Sequence, residues 1–150
     1  MHITCMATDE GPSSYIQRTF DVKHVNSKEV LSVTHIQMKK WNPDTNLEGI
    51  VSVFKDVDMM HKRGQCTQPI VIHCINGFDR SGVVVTVISE LERITVTERI
   101  DVFSTVKKLR DQHEHMLKNT DDYILCYHLL KAYLTSSNSD YENVDDIRHK

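Results

Sequence analysis

The chain has 150 residues, 39% of them hydrophobic, and a formal net charge of -3. That length supports one domain with a buried core and not two. Mild acidity, with Lys and Arg scattered instead of clustered, excludes the basic footprint of a nucleic-acid binder.

Two β-rich runs come first, "SYIQRTFDVKHV" and "VLSVTHIQM", joined by the polar "NSKE", which predicts a hairpin. The next stretch, "KKWNPDTNLEG", reads as a loop, since Asn42 and Pro43 disfavour either regular element. Ile50, Val53, Phe54 and Val57 then recur at helical spacing and predict an amphipathic helix over residues of about 48 to 63. It leads through "RGQCTQ" to a short apolar run at residues 70–73, bounded by Pro69 and a Gly-containing loop, which predicts a buried strand. "VVVTVISELERI" after Gly82 is apolar enough for a core helix. Val102, Val106 and Leu109 mark another, with Asp101 as its cap, and Tyr123, Tyr127, Leu130 and Leu134 mark the last. Thr120, followed by Asp121 and Asp122, suits the start of that helix. Residues 1–135 therefore form the domain, and 136–150 read as a disordered polar tail.

Four cysteines, Cys5, Cys66, Cys74 and Cys126, show neither close pairing nor metal-ligand spacing, as expected in a reducing compartment. The start of the chain carries no secretory apolar segment, and the longest apolar run, residues 83–88, is too short to span a bilayer. The expectation is a cytoplasmic protein without a membrane partner.

The chemistry concentrates in "PIVIHCINGFDRSG", residues 69–82. A strand-to-helix junction there directs unpaired backbone N–H groups and the positive end of the helix dipole at one point, which suits an anion. Cys74 at that point has its thiolate favoured over the thiol by the dipole and by Arg80. Five residues separate Cys74 from Arg80, enough for their amides to wrap a tetrahedral dianion that Arg80 grips bidentately. Gly77 permits the tight turn inside that ring. A Cys-x5-Arg spacing alone is weak, and most cysteines are ordinary buried ones. The β run, His73, the internal Gly77 and the Ser81-Gly82 pair together favour a phosphate pocket with a nucleophile at its base.

With these residues the chain resembles the protein tyrosine phosphatases, in their tyrosine-specific branch. Their loop, His-Cys-Ser-x-Gly-x-Gly-Arg-Ser/Thr-Gly, is similar to "HCINGFDRSG" here. "YIQRTFDVKHV" and "VTHIQMKKW" resemble the strands before the family's Trp-Pro-Asp loop, and "IDVFSTVKKLRDQHEHMLKNTDDYILCY" resembles its two C-terminal helices. The resemblance implies an α/β fold, a mixed β-sheet with flanking helices, and a family domain whose N-terminal part is missing from this chain.

It also implies a mechanism. Cys74 attacks the phosphorus of a phosphotyrosine-bearing protein, and a cysteinyl phosphate forms. Arg80 and the amides of the phosphate loop, Cys74, Ile75, Asn76, Gly77, Phe78 and Asp79, hold the equatorial oxygens. Asp44 protonates the departing phenolate and later takes a proton from water. Ser81 hydrogen-bonds the sulfur, and His73 orients the loop. No metal or other cofactor is implied. His113 and His115, two apart, are expected to face different ways on a solvated helix surface.

Four positions depart from the family pattern. Asn42 separates Trp41 from Pro43, Lys118 and Asp122 stand where the family has glutamines, and Asp79 replaces a glycine beside the arginine. They open a second reading, a pseudophosphatase that binds phosphotyrosine proteins with little or no turnover. Asp79 opens a third, since myotubularin lipid phosphatases carry Gly-x-Asp-Arg in this loop; the chain lacks their size, their flanking sequence and a basic cluster for inositol phosphates.

Overall fold

The computed structural model describes residues 1–10, 14–64 and 68–145, with no side chain described at 45 or 137–145. The chain divides into two compact units, residues 1–53 and 54–150.

The N-terminal unit is a three-stranded antiparallel sheet in the order β1-β2-β3, formed by β1 (His2–Asp9), β2 (Tyr15–Lys23) and β3 (Val30–Met38). The predicted hairpin is β2–β3, registered from Tyr15 opposite Met38 to Lys23 opposite Val30. Cross-strand pairs reinforce that register: Arg18 donates to Gln37 Oε1 at 2.7 Å, and the rings of Phe20 and His35 meet edge-on at 5.9 Å. The sequence reading missed β1. Its eight residues are all exposed, and a bulge between Cys5 and Ala7 interrupts the alternation that would have marked it. The expected α/β fold of a sheet with helices is present, and every described strand pair in it is antiparallel where a mixed sheet was expected.

Helix α1 (Pro43–Lys62) begins earlier than predicted. Pro43 is compatible with a first helical turn, where its missing N–H is no loss. Asn46 then breaks the geometry at φ -143°, so the regular helix follows it, close to the predicted start.

In the C-terminal unit, α2 (Arg80–Thr97) packs on α3 (Val102–Gln112) and on α4 (Thr120–Asp145). Val83 and Val87 of α2, Val102 and Val106 of α3, and Leu125, Leu129 and Leu130 of α4 are buried; of the four residues whose spacing marked the last helix only Leu130 is among them, and Tyr127 is exposed. Burying such side chains contributes roughly 1.5–3 kcal/mol each. A polar clamp joins α2 to α3: fully buried Glu90 accepts the Asp101 amide at 2.6 Å and the Thr105 hydroxyl, with Arg93 at 3.3 Å. Asp101 caps α3 as expected, accepting the Ser104 amide at 3.0 Å. At α4 the capping side chain is Asn119, not Thr120; its Oδ1 accepts the Asp121 amide at 3.0 Å. Helix α4 continues to Asp145, into the segment that composition assigns to a disordered tail, and 146–150 lie outside the described residues, as does Cys66.

One expected element does not form. Residues 70–73 carry no ladder, and Ile70 and Val71 are 46% and 86% exposed. A β-branched run becomes a buried strand only with neighbours on both sides, and no described strand pairs with it.

Candidate active site

Residues 75–79 form a series of bends that ends where α2 opens at Arg80. Gly77 takes φ +81°, in the left-handed region where a side chain is disfavoured, and this turns the chain back toward the helix start. The first turn of α2 has no acidic residue, and the Asp79 side chain makes no capping bond, which leaves the early amides available.

Cys74 uses them. Burial pushes its thiol up, but the Ser81 hydroxyl, the Ser81 amide and the amides of Gly77 and Asn76 outweigh that effect, so its pKa lies below the ordinary value. Ser81 Oγ is buried without a hydrogen-bond partner among the described residues, and it lies near enough to the thiol to favour its ionised form.

Asn76 lies across the same loop. Its Oδ1 accepts the Phe78 amide, the Asp79 amide and the Cys74 thiol, each at 3.3 Å, while its Nδ2 donates to Asp79 Oδ2 at 2.5 Å. The loop thus brings together Cys74, Asn76, Gly77, Phe78, Asp79 and Ser81. Ile75 points to solvent at 96% exposure, and His73 and Arg80 are exposed. Asp44 is exposed in the first turn of α1, in the N-terminal unit, while the loop belongs to the C-terminal unit.

Sequence reading missed the loop's support. The Leu117 amide approaches the Phe78 carbonyl at 3.5 Å, and fully buried Leu117 lies against Gly82, where an added Cβ would stand 3.3 Å from the Leu117 side chain and amide. Leu117 itself is held at φ +48° by Arg110, which donates to the carbonyls of Met116 at 2.9 Å and Leu117 at 2.6 Å. Expected on a solvated helix face, His113 and His115 instead follow the end of α3 in the turn that reverses the chain. Their rings lie 5.8 Å apart and both meet Phe78, at 5.6 and 5.8 Å. Helical spacing misplaced them because the helix stops at Gln112. Among the described residues no group of three or more His, Cys, Asp or Glu is placed to hold a metal ion.

Asp122, in the first turn of α4, also senses the loop. Its pKa is raised by burial, then by the charges of Asp79 and Asp121, against the opposing pull of Arg80.

A sequence profile described as protein-tyrosine phosphatase matches residues 1–132. The chain belongs to the protein-tyrosine phosphatase family. Among its relatives, receptor-type tyrosine-protein phosphatase F of Homo sapiens is 32% identical over 126 residues, which are 81% of this chain and 7% of that protein. The Lar-like tyrosine-protein phosphatase of Caenorhabditis elegans is 30% identical over 81% of this chain and 6% of its own length. Receptor-type tyrosine-protein phosphatase alpha of Homo sapiens is 28% identical over 90% of this chain and 17% of its own. The chain thus spans a small part of the curated relatives it matches. No described helix is long and apolar enough to cross a membrane.

Two of the four positions at which the chain departs from the family pattern meet near the loop. Asp79 bonds Asn76 at the rim of the loop and raises the pKa of Asp122 on α4.

Proposed function

We propose that the chain hydrolyses phosphotyrosine on protein substrates through a cysteinyl phosphate on Cys74. The observation that carries this reading is the set of amides and the Ser81 hydroxyl that lower the Cys74 pKa at the start of α2. A thiolate is the nucleophilic form of cysteine, and the amides that favour it also suit an incoming dianion. Sulfur attacks phosphorus, the S–P bond forms, and the bond to the phenolic oxygen breaks. Asp44 gives its proton to the leaving phenolate and then takes one from the water that cleaves the S–P bond. Arg80 and the amides of residues 75–79 hold the equatorial oxygens. Ser81 stabilises the sulfur as it leaves, and His73 orients the loop. The setting is cytoplasmic, and the partner is a phosphotyrosine-bearing protein.

The Asp79 carboxylate at the rim, felt as far as Asp122, favours a second reading in which the loop binds phosphotyrosine and turns it over slowly or not at all. Phosphate release from a phosphotyrosine peptide and from para-nitrophenyl phosphate, comparing wild type with Cys74→Ser, separates the two. Hydrolysis predicts release that disappears in the variant. Equal capture of the peptide by both proteins without release supports the binder and overturns hydrolysis.

A further inference from the structure

An anion cradle works because several backbone amides converge on one vacant position. In this loop the position already has an oxygen. Asn76 Oδ1 takes the amides of Phe78 and Asp79, and the Cys74 thiol donates to it as well. The orientation of the carboxamide is fixed by its other end, since Nδ2 donates to Asp79 Oδ2, and a reversed amide would set two oxygens against each other. We propose that Asn76, latched by Asp79, is an internal surrogate for the phosphoryl group and sets the affinity of the loop for its anion. The proposal rests on the phosphatase reading only in treating the loop as an anion site.

The same contact couples the latch to the sulfur. Asn76 Oδ1 accepts a proton from the thiol, whereas beside a thiolate it sets one electron-rich atom against another. Asn76 turned inward therefore goes with the thiol, and Asn76 turned outward goes with the thiolate and a bound dianion, whose oxygens take over the released amides. The move requires no repacking. Asn76 and Gly77 are exposed, and nothing stands within 4 Å of where a side chain on Gly77 would begin. Asp79 thereby gains a role besides charge repulsion, because it holds the occupant in place.

Calorimetric titration with tungstate, an unreactive tetrahedral oxyanion, tests this on the full chain, with Arg80→Ala as the control that locates binding at the loop. Asn76→Ala is expected to bind tungstate about tenfold more tightly than wild type, a difference of ~1.4 kcal/mol, and to lower KM for para-nitrophenyl phosphate more than it changes kcat. Asp79→Asn removes the charge but keeps an acceptor for Nδ2, so it gains less than Asp79→Ala. Unchanged or weaker binding by Asn76→Ala overturns the proposal, as does a gain confined equally to both Asp79 variants, which would assign the effect to charge. Tighter tungstate binding by Asn76→Ala with no phosphate release from any variant sustains the latch and overturns hydrolysis. Release by wild type with KM and tungstate affinity unmoved in Asn76→Ala overturns the latch alone. Binding of tungstate to no variant overturns both.

Discussion

Cys74 and Cys126 belong to the same unit and meet opposite surroundings. Cys74 stands before α2, where backbone N–H groups still lack helical partners, and those amides with the Ser81 hydroxyl outweigh its burial. Cys126 stands inside α4, fully buried, with its thiol donating to the Asp122 carbonyl at 3.3 Å. Burial, and next the charge of Asp122, push it up to about 12. The difference lies in which backbone groups face the sulfur. Amides at a helix start favour an anion, whereas a carbonyl inside a helix accepts a proton and favours the thiol.

The largest effect that can break this comparison is in alkylation. At pH 8, well below its value of about 12, Cys126 stays almost wholly as the unreactive thiol. Peptide mapping after iodoacetamide treatment across a pH series should show Cys74 labelled first, with a midpoint below the ordinary cysteine value of about 8.5, and Cys126 protected until the protein unfolds. The sign follows from the charge: a lowered pKa keeps the reactive thiolate populated toward lower pH. Equal labelling of the two cysteines contradicts the assigned environments.

On the buried side, Leu129→Ala empties a fully buried position on α4 and should cost about 2–5 kcal/mol in urea denaturation. A loss below about 1 kcal/mol would mean that the α2–α4 core is looser than described. On the loop side, Arg110→Ala removes both bonds that hold the Leu117 turn beneath Phe78. Arg110 is exposed, so the expected stability loss is about 1–2 kcal/mol, less than two fully buried charged bonds would give. Cys74 labelling should shift toward higher pH in this variant, since the loop amides lose their support. The smallest effect is at the α4 cap, where Asn119→Ala should cost about 0.5–1 kcal/mol by thermal or urea melting and leave Cys74 labelling unmoved.

What the sequence made legible follows from the range of the interactions involved. The β2–β3 hairpin, α2 and α3 with its Asp101 cap were readable because their patterns are local: alternation, helical spacing, and an acid three residues before the amide it accepts. The loop with Cys74, Gly77 and Ser81 stood out as a candidate because an anion pocket with a nucleophile calls for those residue types in that order. Residues 70–73 misled because a buried strand depends on neighbours that composition does not show. His113 and His115 were misjudged because α3 ends one residue before the first of them. Asn76 was read only as a backbone amide of the phosphate loop, since no motif shows that its carboxamide folds back onto the Phe78 and Asp79 amides, and the support from Arg110 and Leu117 depends on a turn with positive φ that no motif marks.

The most direct measurement is an acid quench of wild-type protein during turnover of a phosphotyrosine peptide, followed by mass spectrometry of the Cys74 peptide. If Cys74 is the nucleophile, that peptide carries a phosphoryl group that is absent from Cys74→Ser. Phosphate release without any adduct on Cys74, or an adduct retained in Cys74→Ser, contradicts the proposed chemistry at the start of α2.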